Sequence, residues 1–187
     1  MRIISGIYKG ARLSEPSDKN TRPLKDLTKE SIFNLLIHSK FKSFSLKNSS
    51  VLDLFSGIGS FGLECLSRNV KHVTFVENYK PAIKIFKKNI NNLKIINNYK
   101  LVEKDVFDKK FFNFLNEKFD LIFVDPPYKE NRISELISIL YNNKILKKDS
   151  IIVIHRNKKN QEIISDKLKI LDIRTYGISK IIFGKLK

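Results

Sequence analysis

The sequence predicts an α/β fold built on a seven-stranded, mostly parallel sheet with one reversed strand. Three observations carry this. From about residue 51 onward, short apolar runs rich in Val, Ile and Phe alternate with segments of helical periodicity. Such alternation lays strands side by side in parallel, with helices packed on both faces. A Gly-x-Gly-x-x-Gly set, Gly57, Gly59 and Gly62, falls where the first of these strands passes into a helix. The chain closes on two apolar runs about Gly177, and two strands joined by a tight turn run antiparallel.

The elements follow in order. Residues 1–25 read as a basic N-terminal hairpin and extension. Arg2-Ile-Ile-Ser-Gly6 and Ala11-Arg-Leu13 flank a turn holding Tyr8, Lys9 and Gly10, and a polar stretch runs to Thr21. Residues 26–187 read as the main domain. A helix begins at about Asp26, with Leu27, Phe33, Leu36 and Ile37 near one face. A strand at Val51–Phe55 is followed by a helix over Ser60–Arg68 and a strand at His72–Glu77. The helix Lys80–Leu93 presents Ile83, Phe86, Ile90 and Leu93; Asn78 is a candidate cap, and Pro81 sits in the tolerant first turn. A strand at Tyr99–Glu103, a short helix at Lys109–Asn116 and a strand at Phe119–Val124 come next. Ile133–Tyr141 is a helix, Ser150–His155 a strand, Asn160–Leu168 a helix, and Lys169–Thr175 with Ile178–Lys185 the closing hairpin.

Composition narrows the function classes. At 187 residues and 42% apolar, the chain is one domain's worth of core. Cys65 stands alone, which excludes a disulfide framework and a cysteine-built metal site. His38, His72 and His155 fall in separate elements, so no metal is expected. No apolar run approaches the roughly 18 residues a membrane span needs, and Met1–Gly6 is too short for a signal sequence. The cytoplasm is the expected compartment. A net charge of +17 points to a polyanionic partner. Lys outnumbers Arg 29 to 7 in a chain also rich in Asn and Ile, the bias that AT-rich codon usage produces, so the arginine positions say more than the total.

Asp125-Pro126-Pro127-Tyr128, closing the apolar run Phe119–Val124, is the most informative segment. Prolines remove backbone donors and leave neighbouring carbonyls as acceptors. The side chain of Asp125 and the carbonyl of Pro126 suit the two hydrogens of an amine on a planar ring, and Tyr128 offers a face for that ring to stack on. The glycine loop supplies the second half. Asp53 precedes Gly57 by four residues at a strand end, and Glu77 ends the next strand. A dinucleotide would seat its pyrophosphate on the helix N-terminus and gain nothing from an anion at Asp53. S-adenosylmethionine carries a sulfonium and an amino group instead, and suits that carboxylate. Glu77 is placed for ribose hydroxyls, and Asp105 either for the adenine amino group, with Val106 against the ring, or as a helix cap before Phe107. Phe55 and Asn78, beside these positions, complete the candidate cofactor set.

Asp53-x-Phe-x-Gly-x-Gly followed by Asp125-Pro-Pro-Tyr128 resembles the class I amino-methyltransferases, whose fold is Rossmann-like. Arg2-Ile-Ile-Ser-Gly6, Lys9-Gly-Ala-Arg-Leu13, Thr21-Arg-Pro-Leu-Lys-Asp26 and Leu54–Arg68 are similar to the RsmD family, over residues 2 to about 155. His155 stands where that family commonly has a glutamate. The resemblance implies a bacterial, S-adenosylmethionine-dependent enzyme that methylates the N2 amine of one guanine in 16S ribosomal RNA. Arg2, Lys9, Arg12, Arg22 and Lys25 would then grip RNA phosphates, and a monomer would suffice. Amino-methyltransferases of other RNAs, DNA adenine or protein amides share the Asp-Pro-Pro-Tyr logic. A nicotinamide-dependent oxidoreductase is the alternative from another class.

Overall fold

The computed structural model describes residues 1–15, 24–38, 41, 44–112, 115, 117–160 and 164–187. Five helices and seven strands alternate among them: α1 (Asp26–His38), β1 (Ser50–Leu54), α2 (Ser60–Ser67), β2 (His72–Val76), α3 (Lys80–Asn92), β3 (Tyr99–Val102), α4 (Lys109–Phe112), β4 (Phe119–Val124), α5 (Ile133–Asn142), β5 (Leu146–Asn157), β6 (Leu168–Tyr176) and β7 (Ser179–Leu186). The strands form one sheet in the order β3-β2-β1-β4-β5-β7-β6. All pairs from β3 to β5 are parallel, and β7 runs antiparallel to both β5 and β6. The expected single reversed strand is therefore β7. The order reverses between β1 and β4, the place where such a sheet opens a crevice beyond its carboxyl ends.

Period-two alternation sorts the strand side chains into two cores. Val51, Leu121, Phe123, Ile151, Val153, Ile181 and Phe183 face α1, α2 and α3. Leu52, Leu54, Ile122, Val124, Ile152, Ile154 and Ile182 face α4 and α5. On the first side Phe33, Phe61 and Phe123 form an aromatic column, with centroid separations of 5.0 and 3.8 Å. Each such pair adds about 0.5–1.5 kcal/mol beyond its burial.

The N-terminal segment is reduced to a single antiparallel bridge, Arg2 to Arg12, and is docked by polar contacts. The buried carboxylate of Glu64 on α2 accepts the backbone N–H groups of Ile4 at 2.7 Å and Ser5 at 3.0 Å. It also takes Arg68 at 2.8 Å and lies 3.8 Å from the buried ammonium of Lys29, which donates to the Arg2 carbonyl at 2.7 Å. Burial lowers the Lys29 pKa, and Glu64 and Asp26 oppose that shift. Gly6 permits the close approach: a Cβ there would sit 1.8 Å from the Ser67 carbonyl oxygen.

Several expected elements shift. The inward face of α1 is Thr28, Lys29, Ile32, Phe33 and Leu36, while Leu27 and Ile37 are exposed. A lysine satisfied by Glu64 and Asp26 occupies a position where apolar periodicity looks for a hydrophobe. β5 starts at Leu146, earlier than expected, because Leu146 pairs with Phe119 across an irregularity in the ladder. The helix expected over Asn160–Leu168 is absent among its described residues: Ile164–Lys167 are loop and turn, and Leu168 already belongs to β6. Residues 161–163, and Asn113, Phe114 and Asn116 of the expected fourth helix, lie outside the described residues. Asn78 does not cap α3; the cap position is Tyr79.

Candidate active site

The carboxyl ends of β1, β2 and β4 open onto one cavity of about 800 Å³, within the range of small-molecule sites. Its walls bring together the two motifs that are some seventy residues apart in the chain. Asp53, Phe55, Gly57, Glu77, Asn78 and Asp105 line one part, and Asp125, Pro126, Pro127 and Tyr128 another. Lys25 reaches the same rim from the start of α1.

The glycine loop divides its labour. Gly57 lines the cavity at φ +55°, and a Cβ there would meet nothing within 4 Å. Gly62 instead permits helix–sheet contact, since a Cβ would lie 2.2 Å from the Phe75 ring. Gly59 is likewise a packing position against Phe86 and does not line the cavity, contrary to its assignment as a cofactor contact. Phe55 is held at φ +58° immediately after β1. A bulky residue in that region stores roughly 1–3 kcal/mol, tolerated where the surroundings fix it, here with the Phe107 ring 6.1 Å away.

Three carboxylates face the cavity beyond the ends of β1, β2 and β3, and Asp125 follows β4. Asp53 is 1% exposed and its Oδ2 accepts the Gly62 N–H at 3.0 Å, satisfying a first-turn donor of α2 from the end of β1 on the same face of the sheet. Burial pushes its pKa well up, the Gly62 bond opposes this, and the charges of Asp125 and Glu77 add to it. Glu77 Oε2 accepts Gly57 N–H at 2.7 Å, and Oε1 accepts Asn78 and Tyr79 N–H at 2.9 and 2.8 Å. It thus ties the glycine loop to the turn after β2. Asp105 accepts the Phe107 N–H at 2.9 Å, a tight turn that brings residues 105 and 107 to one side. For this reason Val106 points into the core at 3% exposed, and Phe107 lines the cavity where Val106 had been expected.

The Asp-Pro-Pro-Tyr turn is fixed from beneath. Arg156, fully buried on β5, donates to the carbonyls of Pro127 at 3.3 Å and Glu130 at 2.6 Å. Asn160 donates to the Tyr128 carbonyl at 3.3 Å. The Pro126 carbonyl accepts no hydrogen bond among the described residues. Arg132, bound to Glu130 at 2.7 Å, lies over the Phe107 ring at 3.7 Å and joins this turn to the opposite wall. That contact holds the Glu130 pKa down and raises that of Arg132.

Arg2, Lys9 and Arg12 are exposed away from the cavity lining, with Arg2 3.8 Å from Asp26, and Arg22 lies outside the described residues. The motifs did not reveal Arg132, Arg156, Ser179 or the part played by His155, whose Nδ1 lies 2.7 Å from Asp125. The advance signals were His155 at the end of an apolar run and its place where the resembled family commonly has a glutamate. Among the described residues no group of three or more His, Cys, Asp or Glu is placed to hold a metal.

Whether S-adenosylmethionine suits this lining can be judged on one atom. The Ser56 hydroxyl lines the cavity, is buried, and is the one side-chain N or O among the described buried residues without a partner. An orphaned hydroxyl beside Gly57 and an acidic wall fits a polar, cationic ligand.

Sheet order and a cavity at the strand tips define the class I methyltransferase fold. A solved structure of a candidate methyltransferase from Escherichia coli superposes with a TM-score of 0.83, at 24% identity, covering 100% of this chain and 98% of that one. A ribosomal RNA small subunit methyltransferase D from Haemophilus influenzae is 33% identical over 183 residues, 95% of this chain and 90% of that protein. The protein of the same name from Buchnera aphidicola of Acyrthosiphon pisum is 35% identical over 166 residues, 87% of this chain and 81% of that protein. The family model described as Conserved hypothetical protein 95 matches residues 1–185. The chain belongs to that family, the RsmD family that its motifs resemble.

Proposed function

We propose that this chain is a S-adenosylmethionine-dependent methyltransferase that modifies the N2 amine of a guanine in small-subunit ribosomal RNA. The observation that carries the reading is a single cavity joining an acidic cofactor half to an acceptor half whose carbonyl at Pro126 has no partner among the described residues. The relatives' names supply the RNA class.

When bound, S-adenosylmethionine supplies an electrophilic methyl on sulfur and leaves as a neutral thioether. Asp53 and the Ser56 hydroxyl would hold its positive end, Glu77 its ribose, and Asp105 with Phe107 its adenine. The chain's own task is to prepare the nucleophile. A guanine amine is weak because its lone pair is delocalised into the ring. Accepting its two hydrogens at Asp125 and at the Pro126 carbonyl localises that pair on nitrogen and aims it. As the N–C bond forms, nitrogen becomes cationic and sheds a proton, which Asp125 is placed to receive. Holding two partners this way can contribute about 7–11 kcal/mol at best. The base must leave its stack to enter, with Tyr128 as its new stacking face. Arg2, Lys9, Arg12 and Lys25 would grip the flanking phosphates, and one copy of the chain is enough for all of these roles.

The test is methyl transfer from labelled S-adenosylmethionine to small-subunit ribosomal RNA and assembled particles, with DNA and protein as controls and the product digested to nucleosides. N2-methylguanosine at one position supports the reading. Label in DNA or protein alone overturns it.

A further inference from the structure

His155 is a cavity side chain that the reading above leaves without a role. It lies near the end of β5, 6% exposed, and engages a partner at each ring nitrogen. Nδ1 is 2.7 Å from Oδ1 of Asp125, and Nε2 is 2.9 Å from the hydroxyl of Ser179. The Tyr128 ring meets the imidazole edge-on at 6.3 Å. The three bonded groups come from the end of β4, from β5 and from the start of β7. Both neighbours of β5 are laddered to it as far as this point, so the arrangement rests on main-chain pairing.

Hydrogen-bond chemistry assigns the tautomer. A carboxylate only accepts, so Nδ1 carries the hydrogen and donates to Asp125. Nε2 then shares a hydrogen bond with the Ser179 hydroxyl, which can donate to a bare nitrogen or accept from a protonated one. All three groups are satisfied, and Oδ1 of Asp125 is occupied. Oδ2 has no partner among the described residues. Rotation of the carboxylate would break the 2.7 Å bond, so the open oxygen keeps one direction.

We propose that His155 is a positioning residue: backed by Ser179, it pins one oxygen of Asp125 and leaves the other turned toward the substrate amine. The inference rests on the methyl-transfer reading. The imidazole touches no reacting atom and acts through Asp125. It also tolerates an amide at that position. With Asp125→Asn, the ring can move its hydrogen to Nε2, donate to the Ser179 oxygen and accept from the amide NH2, and the amide oxygen still faces the substrate.

Steady-state methylation of RNA by four variants tests this. His155→Leu should lower kcat by about 10²-fold, the scale of a misplaced catalytic group, with KM for RNA and Kd for S-adenosylhomocysteine within about three-fold. His155→Asn, whose amide can donate from nearly the same place as Nδ1, should recover most of kcat. Asp125→Asn should keep measurable turnover, and the double variant Asp125→Asn/His155→Leu should lose it. The nitrogen-15 spectrum of His155 should report a proton on Nδ1, with a downfield signal that disappears in folded Asp125→Ala. The proposal is overturned if His155→Asn is as impaired as His155→Leu, if the loss lies in KM or Kd, if the double variant matches Asp125→Asn, or if the wild-type ring is protonated at Nε2 instead. A wild-type protein that methylates no RNA brings down the methyl-transfer reading itself, a result distinct from any of these.

Discussion

Asp53 and Asp125 are two carboxylates with opposite settings. Asp125 is open to the cavity on one side, and removing its acceptor should end methyl transfer. Asp125→Ala is expected to abolish turnover while S-adenosylhomocysteine binding by calorimetry stays within a few-fold; equal loss of both would make it a cofactor residue. Asp53 is buried, and its pKa in the folded chain lies above the unfolded one. The folded state therefore keeps a proton that the unfolded chain has lost, and between those two values rising pH erodes stability. A cationic ligand beside it favours the ionised form, so affinity for S-adenosylmethionine should rise with pH across that window, with proton release on binding. Asp53→Asn should flatten both trends. Calorimetry in two buffers of different ionisation enthalpy reads this directly, and an affinity that falls with pH would contradict it. Neither setting was legible in the sequence. Asp53 was expected to meet a charge, but its bond to Gly62 depends on how α2 crosses β1, and that is a packing fact rather than a spacing fact.

The strands were legible because each is a short local pattern that reports its own burial: β4 reads as one apolar run, and the antiparallel β6–β7 pair follows from its turn at Gly177. What failed at this scale was nonlocal. The inward face of α1 contains Lys29, whose burial makes sense only once Glu64, from another helix, is beside it. Among its described residues the expected helix near Asn160 is loop and turn, and the Asn160 side chain reaches the Tyr128 carbonyl. Val106 and Phe107 exchanged roles because Asp105 tightens the turn between them. Two element-level outcomes follow. Glu64→Ala strands a buried ammonium and two backbone donors, and should cost about 3–5 kcal/mol in denaturant unfolding; a loss below 1 kcal/mol would mean that the N-terminal segment is not anchored through it. Glu77→Ala unties the glycine loop from the turn after β2, and should weaken cofactor affinity more than turnover at saturation. Unchanged affinity would remove Glu77 from the ribose role.

Across the whole molecule, a chain of net charge +17 presents a cavity walled by Asp53, Glu77 and Asp125. The surface and the site thus suit opposite partners, a polyanion outside and a cationic methyl donor within. The two should separate by ionic strength. RNA binding should weaken steeply with salt, log–log linearly with a slope of roughly −0.7 for each single-strand phosphate contact. Cofactor binding, which sets buried Asp53 against one cation, should change little over the same range, as fluorescence titrations of each ligand would establish. The sheet's reversal between β1 and β4 sets the two half-sites side by side. The alternating pattern implied such a sheet, the two motifs' chemistry called for neighbouring strand tips, and β1 and β4 are the neighbours that meet there.

Methyl transfer here requires adjacency: the methyl donor and the out-turned amine must occupy neighbouring parts of one cavity. A crystal structure with S-adenosylhomocysteine measures this most directly. Its adenosine should run from Asp105 past Glu77, with the sulfur facing the Pro126 carbonyl and Asp125 across a gap sized for one methyl group and one nitrogen. A ligand whose sulfur is directed away from that turn, or that binds outside the cavity, would contradict the account.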